Sequence, residues 1–309
     1  MQTSELAALL AALMWTFSAM LWGNIKRSAL VLNMGKNCLG VLLVLAHWLV
    51  MASVTGSFHF TTSAEAWGWI SLSSVVGIVI GDTLYFRSLQ ILGARRSFII
   101  ACFSPLFATI LGYQFLDEQL AWTVILGISL TMAGIIVVVT ERGGEVEAPG
   151  LIPGKYIAGV ACGIGGAFCQ ALGGMFSSLG LENCGPLEST VIRLLTGAVL
   201  TSTLVLSQSK HRNAFVSLFR SQDVKKMLLA TILGTWIGIW MCQVAYSGDN
   251  LAIAQTLLST CPLFAIPVVW IVHGHKSTWL ALVSTFVALI GIWMTVSGPS
   301  AVELIREKI

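Results

Sequence analysis

Asp82 is the only acidic residue well inside a long apolar stretch of this sequence. An acid in such a place can carry a proton or hold a cationic group, and it is a functional candidate because a charge in lipid is expensive. Tyr85 follows about one helical turn later, and Arg87 lies nearer the end of the stretch. Structurally, Asp82 can pair with Arg87 or cap a packed interface, although a spacing of five puts the two on different sides of a helix. Two more cations, Lys36 and Arg193, also fall within apolar stretches. Either can attract an anionic substrate group; both lie near a helix start, so we expect them to snorkel to the headgroups.

Trp15, Ser18, Asn37, Gln170, Trp236, Gln243, Tyr246 and Gln255 are uncharged groups able to orient a ligand in an apolar cavity. Any one of them alone reads as a packing or interhelical hydrogen-bond residue; as a set they suggest a ligand site. His47 reads as a core histidine with its hydrogen bonds met. Enzymatic signatures are missing: there is no His-Glu-x-x-His, no Gly-x-Ser-x-Gly and no phosphate-binding loop. No Cys-x-x-Cys or His/Cys cluster suggests a metal, and no cofactor is expected.

The elements that must position these residues follow from composition. Of 309 residues, 56% are apolar and only 10% are charged, against about 25% charged in a soluble domain. The net charge of +3 is too weak to argue for nucleic acid. A membrane-spanning helix needs roughly 20 mostly apolar residues. Stretches free of Lys, Arg, Asp and Glu run Leu6–Ile25, Asn37–Ala64, Ala66–Gly81, Ser97–Leu116, Gln119–Thr140, Tyr156–Leu181, Leu194–Ser209, Met227–Gly248, Asn250–His275 and Ser277–Val302. The third extends past Asp82 to about Gln90, and the seventh begins near Leu187 and encloses Arg193. The first has no basic n-region and is long enough to span, so it reads as a span rather than a cleavable signal. Six of the seven cysteines fall inside these stretches, leaving only Cys184 in a connection, so no disulfide framework is expected.

A shift of 157 residues superposes two long segments without a gap. Ser104-Pro105-Leu106-Phe107-Ala108 falls on Cys261-Pro262-Leu263-Phe264-Ala265, Gly77 and Gly81 on Gly234 and Gly238, Trp122 on Trp279, and Lys36 on Arg193. A shift of 151 aligns Phe17, Leu21 and Gly23 with Phe168, Leu172 and Gly174. The chain thus divides into a first repeat (1–140), a linker (141–155), a second repeat (156–298) and a tail (299–309). An odd number of spans per repeat inverts the second copy, so the expected fold is an all-α integral membrane protein with ten transmembrane helices as two inverted five-helix repeats, an arrangement common in secondary transporters. The glycine pairs are expected to permit close helix approach. Pro105, Pro262 and Pro267 are expected to kink the fourth and ninth helices and could act as hinges.

Ten spans, a five-plus-five inversion, Pro-bearing fourth and ninth helices, and the stretch Gly81-Asp82-Thr83-Leu84-Tyr85-Phe86-Arg87-Ser88-Leu89 with Gly93-Ala94 together resemble the drug/metabolite transporter superfamily, specifically its EamA-type branch. The resemblance covers essentially the whole chain. It implies a carrier of a small metabolite or drug-like solute, with protons as a candidate coupling ion, in the cell (inner) membrane. It also implies that the polar residues above lie on cavity-lining helices. The family's short Gly-Glu turn has a near match in Leu116-Asp117-Glu118 but not in Gly274-His275-Lys276. The alternatives are a membrane-embedded lipid-modifying enzyme, which needs clustered acids or histidines, and a non-transporting scaffold or sensor. Twelve of the 17 Lys and Arg residues lie in odd-numbered connections. The positive-inside rule therefore places those connections in the cytoplasm, whereas the resemblance implies cytoplasmic termini; we give the charge bias more weight. The longest connection, Gln208–Lys226, reads as a solvated basic loop or a short interfacial helix on anionic lipid.

Overall fold

A computed structural model describes residues 2–22, 25, 27–57, 60, 62–92, 94–141, 155–208, 224–264 and 279–306. Among these every regular element is a helix. We label the helices α1 (Thr3–Trp22), α2 (Ala29–Thr55), α3 (Ala64–Leu92), α4 in two pieces (Ala94–Ala101 and Ser104–Phe115), α5 (Trp122–Glu141), α6 (Tyr156–Leu181), α7 (Pro186–Leu206), α8 (Val224–Tyr246), α9 (beginning Leu251–Leu258) and α10 (Trp279–Arg306). Six of them (α1, α2, α3, α6, α7 and α8) are long and apolar enough to cross a membrane, and shorter apolar segments lie in the other four. The helix of α10 continues to Arg306, through most of the segment read as a tail. The connection at 209–223, Pro267 and the turn at 274–276 lie outside the described residues.

Local sequence explains the helix ends. Gly56 closes α2 with φ 71°, a left-handed conformation that glycine adopts without a Cβ penalty. Ser63 accepts the Ala66 N–H at the start of α3, and Asn250 does the same for Ile253 at the start of α9. Pro186 opens α7, where a missing N–H costs nothing. Trp122 and Trp279, equivalent in the repeat, begin α5 and α10 and are 71% and 79% exposed. Amphipathic rings in such places sit at the membrane–water boundary.

Two irregularities recur at the repeat spacing. The α-helical ladder of α3 widens to a π-helix over Ser74–Asp82, and that of α8 widens over Thr231–Ile237. Helix α4 breaks at Cys102-Phe103, and α9 breaks at Ser259-Thr260, each just ahead of a proline. Proline blocks the ladder locally, which accounts for the breaks at Pro105 and Pro262. The π-segments leave main-chain carbonyls to be met by neighbours, since lipid offers no donor. Asn33 of α2 donates to the Ile78 carbonyl at 2.8 Å, and Trp15 of α1 donates to the Gly234 carbonyl at 2.9 Å.

Contacts between the two halves are reciprocal. α1 packs on α8 and α3 on α6; α2 packs on α7, α4 on α9 and α5 on α10; α1 also meets α9 as α6 meets α4. Lipid supplies no hydrophobic drive between helices, so small residues at the crossings carry the association. A Cβ on Gly173 would come within 3.0 Å of the Gly77 Cα, and one on Gly81 within 3.0 Å of the Cys169 Cβ. A Cβ on Gly234 would run into Ser18, and one on Gly238 would stand 2.7 Å from the Trp15 Nε1. Main chains also come close between α5 and α10. There a Cβ on Gly291 would meet the Thr131 main-chain N at 2.5 Å, and one on Gly127 the Thr295 N at 2.7 Å.

Candidate functional site in the membrane core

The polar residues gather where α2, α3, α6, α7 and α8 meet. Asp82, at the end of the α3 π-segment, pairs with Lys36 of α2 and not with Arg87: the Lys36 Nζ stands 2.7 Å from the Asp82 Oδ2. Arg87 is exposed. Lys36 also donates to the Asn37 Oδ1 at 3.2 Å, Asn37 donates to the Asn33 Oδ1 at 3.2 Å, and Asn33 donates to the Thr83 hydroxyl at 3.0 Å. The Lys36 side chain is only 7% exposed and Asp82 23%. Snorkelling is therefore overturned for Lys36, because its ammonium turns inward to a carboxylate instead of outward to headgroups.

Arg193 also departs from the snorkelling expectation. Its residue is 4% exposed, and its Nη1 donates to the Gln243 Oε1 at 3.0 Å. Gln243 in turn donates to Ser189. The other side of the guanidinium rests on Gly77, where a Cβ would come within 2.9 Å of Nη2 and 3.5 Å of the Gln170 Oε1. Ser74, in the same π-segment, donates to the Arg193 carbonyl at 2.6 Å. A Cβ on Gly197, one turn past Arg193, would stand 3.4 Å from the Asn37 Nδ2, so the Lys36 and Arg193 groups form one layer.

A second polar chain spans α8, α9 and the break in α4. The Tyr246 hydroxyl donates to the Gln255 Oε1 at 2.6 Å, and the Gln255 Nε2 donates to the Ser104 hydroxyl at 2.7 Å. Trp15, Ser18 and Thr16 of α1 tie that helix to carbonyls of α8 and α9. Tyr85 is half-buried, with its main chain against Gly166 of α6. His47 is not a core residue: it is half-buried, accepts a 3.4 Å bond from the Trp236 Nε1 and lies edge-on to Trp236 and Trp240. Asn33, Ser74, Ser104 and Ser189 escaped the reading of the sequence. Asn33 and Asn37 at i and i+4 on one face of α2 were the available signal.

An apolar pocket of about 600 Å³ opens between the halves, lined by Trp69 of α3, Phe107, Ile110 and Phe115 of α4, and Phe168, Leu172 and Phe176 of α6. None of the polar residues named above lines it.

Glu118, in the connection after α4, accepts the Leu251 N–H at 2.6 Å and so joins the first half to the start of α9. Its second oxygen, Oε2, is buried with no partner. Asp117 before it takes φ 51°, the left-handed turn that swings Glu118 back toward Gly112. Burial raises the Glu118 carboxyl above its usual range, against the lowering effect of the Leu251 and Ala252 amides. The folded protein then holds this proton more tightly than the unfolded chain does. Its contribution to stability is full at acidic pH and is lost as the pH rises through the raised value. Glu118→Gln cannot titrate, so the wild type should lose melting temperature relative to this variant as the buffer moves from about pH 4 to pH 7. Parallel melting curves across that range would show that Glu118 titrates as an exposed acid.

The comparisons with known proteins agree with this architecture. Residues 2–140 and residues 157–297 each match the sequence profile of the EamA-like transporter family. The chain belongs to the EamA-like transporter family. As in that family, it is a multi-pass membrane protein. A putative permease-like protein of Bacillus subtilis (strain 168), YdzE, is 31% identical over 74 residues, covering 24% of this chain and 95% of its own length. A solved crystal structure superposes with a TM-score of 0.72 at 13% identity, over 94% of this chain and 96% of its own, and so shares the fold.

Proposed function

We propose that this EamA-like protein is a secondary carrier that moves a small metabolite or drug-like solute by alternating access, with the Lys36–Asp82 pair as its proton-coupling group. The observation that carries the reading is this ion pair, held at 2.7 Å in the polar layer between the halves. A charge pair there is expensive to maintain, which makes it a functional candidate. When the layer opens, Asp82 releases Lys36 and takes a proton; when it closes, the pair reforms and the proton leaves.

The fold is read as ten spans in two inverted five-helix repeats. Reciprocal helix contacts, and helix breaks and π-segments that recur at the repeat spacing, support a twofold relation between the halves. Such a molecule has two similar conformations, one open to each side, with the breaks at Pro105 and Pro262 as hinges. Gln170, Gln243, Tyr246, Gln255 and Trp15 serve as orienting groups. The charge bias places the odd-numbered connections in the cytoplasm.

Uptake of a pooled metabolite extract into proteoliposomes of the purified protein, fractionated after the assay, tests the reading. Protein-dependent accumulation of at least one solute is expected. Contents identical to those of protein-free vesicles would sink it.

A further inference from the structure

The repeat places Arg193 where Lys36 stands, but it places Ile239 where Asp82 stands. The first cation has its acid; the second has an apolar residue at the equivalent position. Arg193 is 4% exposed, and its Nε is buried with no partner. Its Nη1 donates to the neutral Gln243 Oε1, and the Cys242 thiol also lies against the guanidinium. Among the described residues no carboxylate lies within ion-pair distance of it. Lys36, Asp82 and Arg193 together leave this layer with one uncompensated positive charge. A buried cation without a counter-charge is strongly unfavourable in a membrane core.

The surroundings hold the guanidinium in place without neutralising it. Ser74 fixes the Arg193 main chain at 2.6 Å. Gly77 offers no side chain, so the guanidinium lies directly on the π-segment of α3. Gln170 and Gln243 stand nearby as neutral amides. We propose that Arg193 receives an oxyanion, a carboxylate or phosphate group, of the transported solute, which supplies the negative charge that Asp82 supplies to Lys36. This assignment rests on the carrier reading and narrows it to anionic solutes. A guanidinium suits the task because its planar fork gives two parallel hydrogen bonds to one oxyanion, a geometry that an ammonium lacks.

Thermal unfolding of the full-length protein in detergent provides the test. The probes are sodium acetate, lactate and succinate as carboxylates, inorganic phosphate, and tetramethylammonium chloride as a cationic control, all at matched ionic strength. A saturable rise in melting temperature is expected with carboxylates or with phosphate, and which of the two gives it identifies the oxyanion. Arg193→Lys keeps the charge and loses the fork, so its apparent affinity should fall at least tenfold. Gln243→Glu places an acid 3.0 Å from Nη1, where Gln243 Oε1 now stands. It should melt higher than the wild type and respond to neither class of anion. Equal anion responses in the wild type and Gln243→Glu, or protection by tetramethylammonium alone, would overturn the assignment. Solute flux in proteoliposomes with no oxyanion response defeats this inference and leaves the carrier reading standing. An oxyanion response that Gln243→Glu removes, without flux of any solute, defeats the carrier reading and leaves the Arg193 site.

Discussion

Replacing Asp82 with Asn should abolish pH-driven accumulation and destabilise the protein together, because the change strands the Lys36 ammonium in the membrane core. Lys36 would keep only neutral acceptors, the Asn37 Oδ1 and the amide oxygen of the new side chain. Breaking a buried ion pair from one side costs about 3–5 kcal/mol. The lower end applies here, since Asp82 keeps 23% of its surface exposed. Lys36→Met should do comparable harm by stranding the carboxylate. The double variant Asp82→Leu with Lys36→Met removes both charges and should regain most of the lost melting temperature, since an apolar pair of similar volume replaces a buried ion pair at little expense. It should remain inactive, because nothing is left to exchange a proton. Melting curves and uptake on all three variants separate the two roles. Destabilisation of the double variant equal to the sum of Asp82→Leu and Lys36→Met alone would mean that the pair is not coupled energetically. Full uptake by the uncharged double variant would return Asp82 and Lys36 to a purely structural role.

Gly291→Ala should be the most damaging single-methyl change in the protein. Its Cβ would sit 2.5 Å from the Thr131 main-chain N and 2.6 Å from the Gly127 carbonyl, and neither is the movable end of a flexible side chain. Helices α5 and α10 would have to separate. Overpacking of this kind costs about 1–3 kcal/mol, and backbone neighbours put it at the upper end. Gly68 is the internal control. It lies in α3 with no atom within 4 Å of its would-be Cβ. There, Gly→Ala should raise stability by about 0.5–1 kcal/mol, because alanine restricts the unfolded chain and favours the helix. The measurement is the melting temperature of both variants in one detergent. Equal effects at the two sites would show that the α5–α10 contact does not hold the halves together.

The helices were legible in the sequence because lipid makes the signal coarse: long uncharged stretches can be little else. The positions of the breaks in α4 and α9 were legible too, since proline enforces them. What was hidden is the partner of each buried charge. Lys36 and Asp82 are 46 residues apart, and nothing in their spacing says that α2 turns one to meet the other. Sequence proximity pointed instead to Arg87, which the structure leaves exposed. The same limit produced the snorkelling expectation for Lys36 and Arg193. Distance from a helix end bounds where a long side chain can reach, but the inward partner decides where it goes. The π-segments had no sequence signature beyond the glycines they contain. They arise where Asn33, Ser74, Trp15 and Ser18 hydrogen-bond to carbonyls in or beside the widened ladder or on the facing helix.

Coupling through the Lys36–Asp82 pair is the central claim, and solute-dependent proton movement tests it most directly. Proteoliposomes carrying a trapped pH indicator should acidify or alkalinise when the solute identified by uptake is added, and the response should vanish in Asp82→Leu with Lys36→Met. Solute uptake with no accompanying pH change in the wild type, or an unchanged pH response in the uncharged double variant, would contradict the account.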